Sequence, residues 1–138
     1  MRIAKEALRL YPPVWTFFRA VTADYPLGDH VIPAGDLIVL SPYFVQREPS
    51  VWPDPLRFDP ERWASGAERP PDVAYFPFSA GPYECHAHSL AMQEAHLIMT
   101  AVGRRFRFKP MREDPPRPAA TGAIIPKGGL RMRPLARG

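Results

Sequence analysis

Proline is the feature that most restricts the fold of this chain. It occurs 19 times in 138 residues, and each proline fixes φ and removes a backbone hydrogen-bond donor. Eight prolines fall within residues 48–84, which predicts a long loop there, and such loops in compact domains are usually functional. Its large aromatic side chains should anchor it: Trp52, Phe58, Trp63, Tyr75, Phe76 and Phe78.

Short regular elements are predicted before this loop. The first ten residues carry an apolar stripe at helical spacing, at Ile3, Ala7 and Leu10. This helix should end at Pro12–Pro13. Residues 17–40 alternate apolar segments, the first over 17–23, with Pro/Gly/Asp turns, which is typical of a small antiparallel meander. Residues 42–47 should add one or two helical turns.

The longest helix is predicted after the loop, over residues 85–105, which contain no proline. Its mainly apolar face comprises Leu90, Glu94, Leu97, Ile98, Ala101 and Val102. A strand over 106–111, a Pro/Arg-rich loop over 112–120 and a hairpin over 122–134, turning at Lys127-Gly128-Gly129, should follow. We therefore expect one loop-rich domain of the α+β class.

Composition indicates a globular, intracellular chain. It is 46% apolar and 23% charged, which excludes intrinsic disorder. One cysteine excludes an internal disulfide framework and favours a reducing compartment. No stretch approaches the apolar length of a membrane helix, and Lys5, Glu6 and Arg9 stand where a signal peptide has its apolar core. We expect a soluble, cytoplasmic protein of bacterial type.

Charge is divided unevenly along the chain. Residues 1–102 hold 8 basic and 12 acidic residues, whereas residues 103–138 hold 10 basic and 2 acidic ones. A basic segment can be a solvated surface or can bind an acidic partner. No aromatic residue follows Phe108, and nucleic-acid grooves need aromatic platforms between the charges. We therefore expect no nucleic-acid binding.

Cys85 ends a Pro/Gly-rich segment and precedes the predicted long helix. A thiol at a helix N-terminus meets the positive end of the helix dipole, which favours the thiolate that a metal ion binds. As an isolated residue, it could equally be a small buried apolar side chain. The surrounding motifs decide between these interpretations.

Three motifs occur in a fixed order: E-x-x-R at Glu6–Arg9, P-E-R-W at Pro60–Trp63 and F-x-x-G-x-x-x-C at Phe78–Cys85. Together they resemble the cytochrome P-450 family of haem-thiolate monooxygenases. The resemblance runs from about residue 3 to about residue 135. It implies the C-terminal part of the family's fold: an E-x-x-R helix, a small β-sheet, a proline-rich meander, a cysteine loop, a long helix and a β-hairpin.

The resemblance also implies a cofactor, haem b (iron protoporphyrin IX). Cys85 would be the axial ligand of the iron, and its thiolate would favour O–O cleavage. Phe78 would shield the sulfur, and Gly81 would let the loop turn tightly beneath the haem. Arg19 would bind a haem propionate, because its planar fork matches a carboxylate.

A buried charge triad is implied as well, formed by Glu6, Arg9 and Arg62. Its role would be structural, since it would tie the first helix to the proline-rich meander. Removing one member would leave an uncompensated buried charge, at a cost of about 3–5 kcal/mol. The residues alone leave open a simple surface ion pair between Glu6 and Arg9.

The chain departs from the family pattern at several positions. Tyr83, at the haem, replaces the usual basic residue and offers one hydrogen bond without a positive charge. Ala87, also at the haem, replaces the usual glycine. His88 stands at a usually basic position, and Gln46 stands where a histidine is common. The family's chain is several times longer, so residues 1–138 are expected to be a single incomplete domain with apolar surface exposed.

The implied function is insertion of one atom of O2 into a small organic substrate, with electrons from a ferredoxin or a flavoprotein. Three alternatives remain. One is a zinc site, whose candidate ligands are Cys85, His86, His88 and His96, although their spacing is unusual for zinc. The second is a cysteine nucleophile with a histidine base. The third is a non-catalytic fragment, or a haem-binding remnant that cannot turn over alone.

Overall fold

The computed structural model describes residues 1–67, 71–114 and 116–138. Helix α1 spans Arg2–Leu10, ends before the Pro12–Pro13 pair as predicted, and buries Ala4, Glu6, Arg9 and Leu10. The expected apolar stripe is wrong in part, because Ile3 is exposed. The buried face instead includes the charged residues Glu6 and Arg9, which have hydrogen-bond partners in the proline-rich segment.

Two nested hairpins follow α1. Strand β1 (Phe17–Ala20) pairs antiparallel with β4 (Leu37–Leu40), and they enclose the pair β2 (Tyr25–Leu27) and β3 (His30–Ile32). The predicted meander is therefore wrong in its pairing. Strand β1 ends at Ala20, earlier than predicted. Val21 donates a hydrogen bond to the Asp36 carbonyl oxygen and accepts one from the Gly35 amide, so it faces two residues and the one-to-one pairing with β4 stops there. Helix α2 (Pro42–Val45) follows β4, as predicted.

The C-terminal part begins with helix α3 (His88–Arg105), which runs directly into strand β5 (Phe106–Pro110). Strand β5 pairs with β8 (Met132–Ala136), and β6 (Pro118–Ala120) pairs with β7 (Ile124–Pro126).

The predicted hairpin over 122–134 is wrong, because β7 and β8 pair with earlier strands. Gly128 and Gly129 have φ of 76° and 73°, and this left-handed pair separates β7 from β8 instead of joining them. The predicted loop over 112–120 contains β6. The long helix begins three residues later than predicted, because a 3-10 turn at Gly81–Tyr83 and further turns occupy the residues before it.

The proline-rich segment is held by an aromatic cluster. Trp63 lies 4.5 Å from Tyr75 and 5.8 Å from Trp52, measured between ring centroids, and Trp52 is buried. Phe76 pairs with Phe17 of β1 at 6.3 Å. The prediction that Phe58 anchors the loop is wrong, because this residue is 47% exposed.

Helix α3 is partly uncovered. Met92 is its only buried residue, whereas Leu90, Leu97 and Ile98 on the predicted apolar face are exposed. This agrees with the expectation of exposed apolar surface. None of the helices in the described ranges has the length and apolar character needed to cross a membrane.

Candidate functional site

The cysteine loop closes on itself. The backbone amide of Cys85 donates a hydrogen bond of 2.9 Å to the carbonyl oxygen of Phe78, and the Ser79 amide donates to Phe76. Ser79 and Gly81 adopt φ of 66° and 64°. A non-glycine residue in this region costs free energy and is typical of functional loops. At Gly81 a Cβ would meet no heavy atom within 4 Å, so the need for glycine there is conformational.

The loop presents Cys85 at the surface, where its side chain is exposed. The residue lies three positions before the first residue of α3, and its carbonyl oxygen accepts a hydrogen bond of 3.0 Å from the His88 amide. Ala87 is the N-cap of α3. The thiol thus stands at the junction of loop and helix, as the sequence indicates, although it is not itself helical.

The zinc and nucleophile alternatives find no support in the described ranges. No three side chains of His, Cys, Asp or Glu come together there in a way that could hold a metal ion. His88 directs Nδ1 to the carboxylate of Glu84 at 2.8 Å, and no hydrogen bond joins the Cys85 thiol to a histidine among the bonds found in these ranges. A histidine base needs that contact.

Arg19 of β1 reaches the cysteine loop. Its Nη2 donates to the Ser79 hydroxyl at 3.2 Å, and its Nη1 donates to the Phe18 carbonyl oxygen. The guanidinium carbon lies 4.3 Å from the centre of the Tyr83 ring, a cation–π contact worth about 0.5–1 kcal/mol at an exposed site. The structure therefore brings Arg19 and Tyr83 together. A guanidinium has five N–H donors, so several remain for an anion.

The predicted triad residues also meet. Glu6 and Arg9 are fully buried and form a bidentate pair, with both Nε–Oε2 and Nη2–Oε1 at 2.9 Å. Arg62 places Nε 3.5 Å from Oε1 of Glu6, which is an ion-pair contact without hydrogen-bond geometry. Glu6 also accepts hydrogen bonds from the Asp59 amide and from Nε1 of Trp63.

Burial by itself would raise the pKa of Glu6. Hydrogen bonds from Arg9, the Asp59 amide and Trp63 outweigh that effect, and the pKa lies below its ordinary value of 4.5. The carboxylate is therefore charged at neutral pH and holds the Arg9 guanidinium in place. Arg9 in turn donates to three backbone carbonyl oxygens of the following segment, those of Gln46, Pro55 and Arg57.

Gln46 is the structural residue whose role the sequence did not reveal. It is fully buried, and its Nε2 donates to the carbonyl oxygens of Leu8 and Arg9 at the end of α1. Its Oε1 accepts from the Phe76 amide at 3.0 Å. One amide side chain thus connects α1 to the segment that leads into the cysteine loop. In the sequence, the signal for this role was that Gln46 occupies a position where the family commonly has histidine.

The family model for cytochrome P450 matches residues 2–133. The chain belongs to the cytochrome P-450 family. The fold agrees with this assignment: the retinoic acid-bound cyanobacterial CYP120A1 superimposes with a TM-score of 0.90 at 29% identity, over 99% of this chain and 32% of that one. A 6-coordinated cytochrome P-450 from Thermus thermophilus gives 0.82 at 39% identity, over 94% and 34%.

Two relatives come from Streptomyces melanosporofaciens. Cyclooctatin synthase is 37% identical over 139 residues, covering 99% of this chain and 30% of that protein. Cyclooctat-9-en-7-ol 5-monooxygenase is 39% identical over 112 residues, covering 79% and 24%. The chain thus spans less than a third of the length of these cytochrome P-450 relatives. Family members bind haem b and are of the haem-thiolate monooxygenase kind.

Proposed function

We propose that this chain carries the haem-binding part of a monooxygenase that inserts one atom of O2 into a small organic substrate, with Cys85 as the iron ligand. The observation that carries the proposal is the exposed thiol at the end of a loop closed by the Cys85–Phe78 hydrogen bond. A soft sulfur donor suits a haem iron. When bound, haem iron with a thiolate ligand supplies the activation of O2.

The other residues of the loop suit the same cofactor. Phe78, whose ring stacks on that of His88, would keep water from the sulfur. Arg19, held by Ser79 and Tyr83, would bind a propionate through its remaining N–H donors, and the phenol of Tyr83 would add a neutral hydrogen bond. Gly81 gives the loop its left-handed turn, and Ala87 would place only a methyl group near the haem.

The proposal extends to an electron donor and a location. A ferredoxin or a flavoprotein with an acidic surface would supply electrons, and Arg104 and Arg105, exposed in the last turn of α3, would assist its docking. Changing both to glutamate should slow reduction at low salt, whereas unchanged reduction kinetics would remove them from the docking surface. The single cysteine favours the cytoplasm.

A second candidate function is haem binding without turnover. The exposed apolar face of α3 favours it. Residues 1–138 would then form one incomplete domain. The two functions differ in a single respect, which is whether oxygen from O2 enters a product.

Isotope incorporation tests this difference. The chain is loaded with haem, supplied with a chemical reductant and isotopically labelled O2, and given a panel of organic compounds that includes cyclooctat-9-en-7-ol. Labelled product from the wild-type chain, absent with Cys85→Ser, would support monooxygenation. Bound haem without labelled product would support the haem-binding candidate and contradict activity of this chain.

A further inference from the structure

His88 and Phe78 form a stacked ring pair across the cysteine loop. Their ring centroids are 4.3 Å apart and the planes are tilted by only 20°, the shortest such separation among the aromatic pairs of the described ranges. Phe78 opens the loop, and His88 is the first residue of α3. The stack therefore joins the two ends of the segment that carries Cys85.

Glu84 fixes the orientation of the imidazole. Its Oε1 lies 2.8 Å from Nδ1 of His88, four residues further along the chain. A carboxylate oxygen accepts hydrogen bonds, so the contact is a hydrogen bond when Nδ1 carries the proton. A hydrogen bond at the ring edge opposes rotation of the imidazole, and the ring face stays against Phe78.

Backbone hydrogen bonds complete the connection. Phe78 accepts from the Cys85 amide at 2.9 Å, and Cys85 accepts from the His88 amide at 3.0 Å. The ring stack thus spans the same two residues that the backbone already links through the cysteine. Movement of either ring would be transmitted to the residue that carries the thiol.

We propose that His88 is a positioning residue, oriented by Glu84, that holds Phe78 against the cysteine loop and so would keep water from the sulfur of Cys85 when haem is bound. The loop-holding part needs no cofactor, whereas the consequence for a bound iron rests on the proposed function. His88 is not a ligand and takes part in no proton transfer in this role.

Amide hydrogen exchange of the haem-free chain tests the loop-holding part. His88→Ala should increase the exchange rate of the Cys85 amide by about two- to tenfold, because loss of an aromatic pair makes local opening easier. His88→Phe retains the stack and should restore slow exchange. His96→Ala changes an exposed histidine of the same helix and is the matched control. Equal exchange rates in His88→Ala and His96→Ala would overturn the proposal.

The reduction potential of the haem-loaded chain tests the consequence. Opening the loop would admit water to the sulfur, and polar surroundings favour the reduced site, which carries one more negative charge. His88→Ala should therefore shift the potential to a more positive value, His88→Phe should restore it, and His96→Ala should leave it unchanged. An unshifted potential with haem retained would contradict the shielding role. If no variant binds haem, the proposed function fails, and the exchange rates still decide the loop-holding part.

Discussion

Glu6→Gln is the substitution whose cost can be worked out most fully. The two carboxylate oxygens of Glu6 receive hydrogen bonds from Nε and Nη2 of Arg9, the Asp59 amide and Nε1 of Trp63. A glutamine must turn its NH2 group toward one pair of these donors in either orientation. It also removes the charge that balances Arg9.

The expected cost follows from this burial. Both side chains of the pair have no exposed surface, so the Arg9 guanidinium would keep its backbone carbonyl partners and one hydrogen bond to the glutamine oxygen, but it would lose its buried countercharge. Breaking a buried ion pair from one side costs about 3–5 kcal/mol, which is a large share of the roughly 5–15 kcal/mol that stabilises a typical domain. We expect the free energy of unfolding to fall by that amount.

Urea unfolding followed by circular dichroism of the helices measures the change. Glu61→Gln is the matched control, because Glu61 pairs with Arg2 at 2.6 Å with side chains 71% and 51% exposed. Exposed pairs contribute less than about 1 kcal/mol. Equal losses for Glu6→Gln and Glu61→Gln would refute the reasoning that burial of the charge pair determines its importance.

Three further changes have defined outcomes. The first is a change of pH. Folding lowers the pKa of Glu6, so in acid the unfolded state binds more protons than the folded state, and the stability due to Glu6 is complete above about pH 4.5 and declines below it. The urea midpoints of the wild type and of Glu6→Gln should therefore converge in acid. A difference between the two urea midpoints that stays constant down to about pH 3 would contradict this. Gly81→Ala forces a left-handed alanine and should cost about 1 kcal/mol of unfolding free energy, whereas Gly103→Ala, within α3, should not destabilise the chain. Arg19→Gln should raise the haem dissociation constant about 10- to 100-fold by loss of charged hydrogen bonds; a titration with an unchanged constant would place the propionate elsewhere.

Local chemistry explains what could be predicted from the sequence. Prolines define where helices end, and the order of the E-x-x-R, P-E-R-W and cysteine-loop motifs indicates both the family and the residues that meet. The Glu6–Arg9 pair is readable at helical spacing, since residues three apart share a face. Its full burial follows only from the tertiary contacts with the proline-rich segment.

Long-range pairing explains what could not be predicted. Strands β1 and β4 are neighbours only because the hairpin between them pairs with itself, and sequence periodicity does not choose between these pairings. The Gly128–Gly129 pair has the composition of a hairpin turn, but it separates β7 from β8, which pair with different strands. The stack of His88 on Phe78 also joins positions ten residues apart, which no periodicity indicates.

The visible spectrum of the haem-loaded chain, reduced and under carbon monoxide, tests the central claim most directly. Coordination by the Cys85 thiolate predicts the red-shifted Soret band of a thiolate-bound carbonyl complex, and this band should be lost in Cys85→Ser. A spectrum like that of free haem in the wild-type chain, or the same band in Cys85→Ser, would contradict the assignment of Cys85 as the iron ligand of this chain.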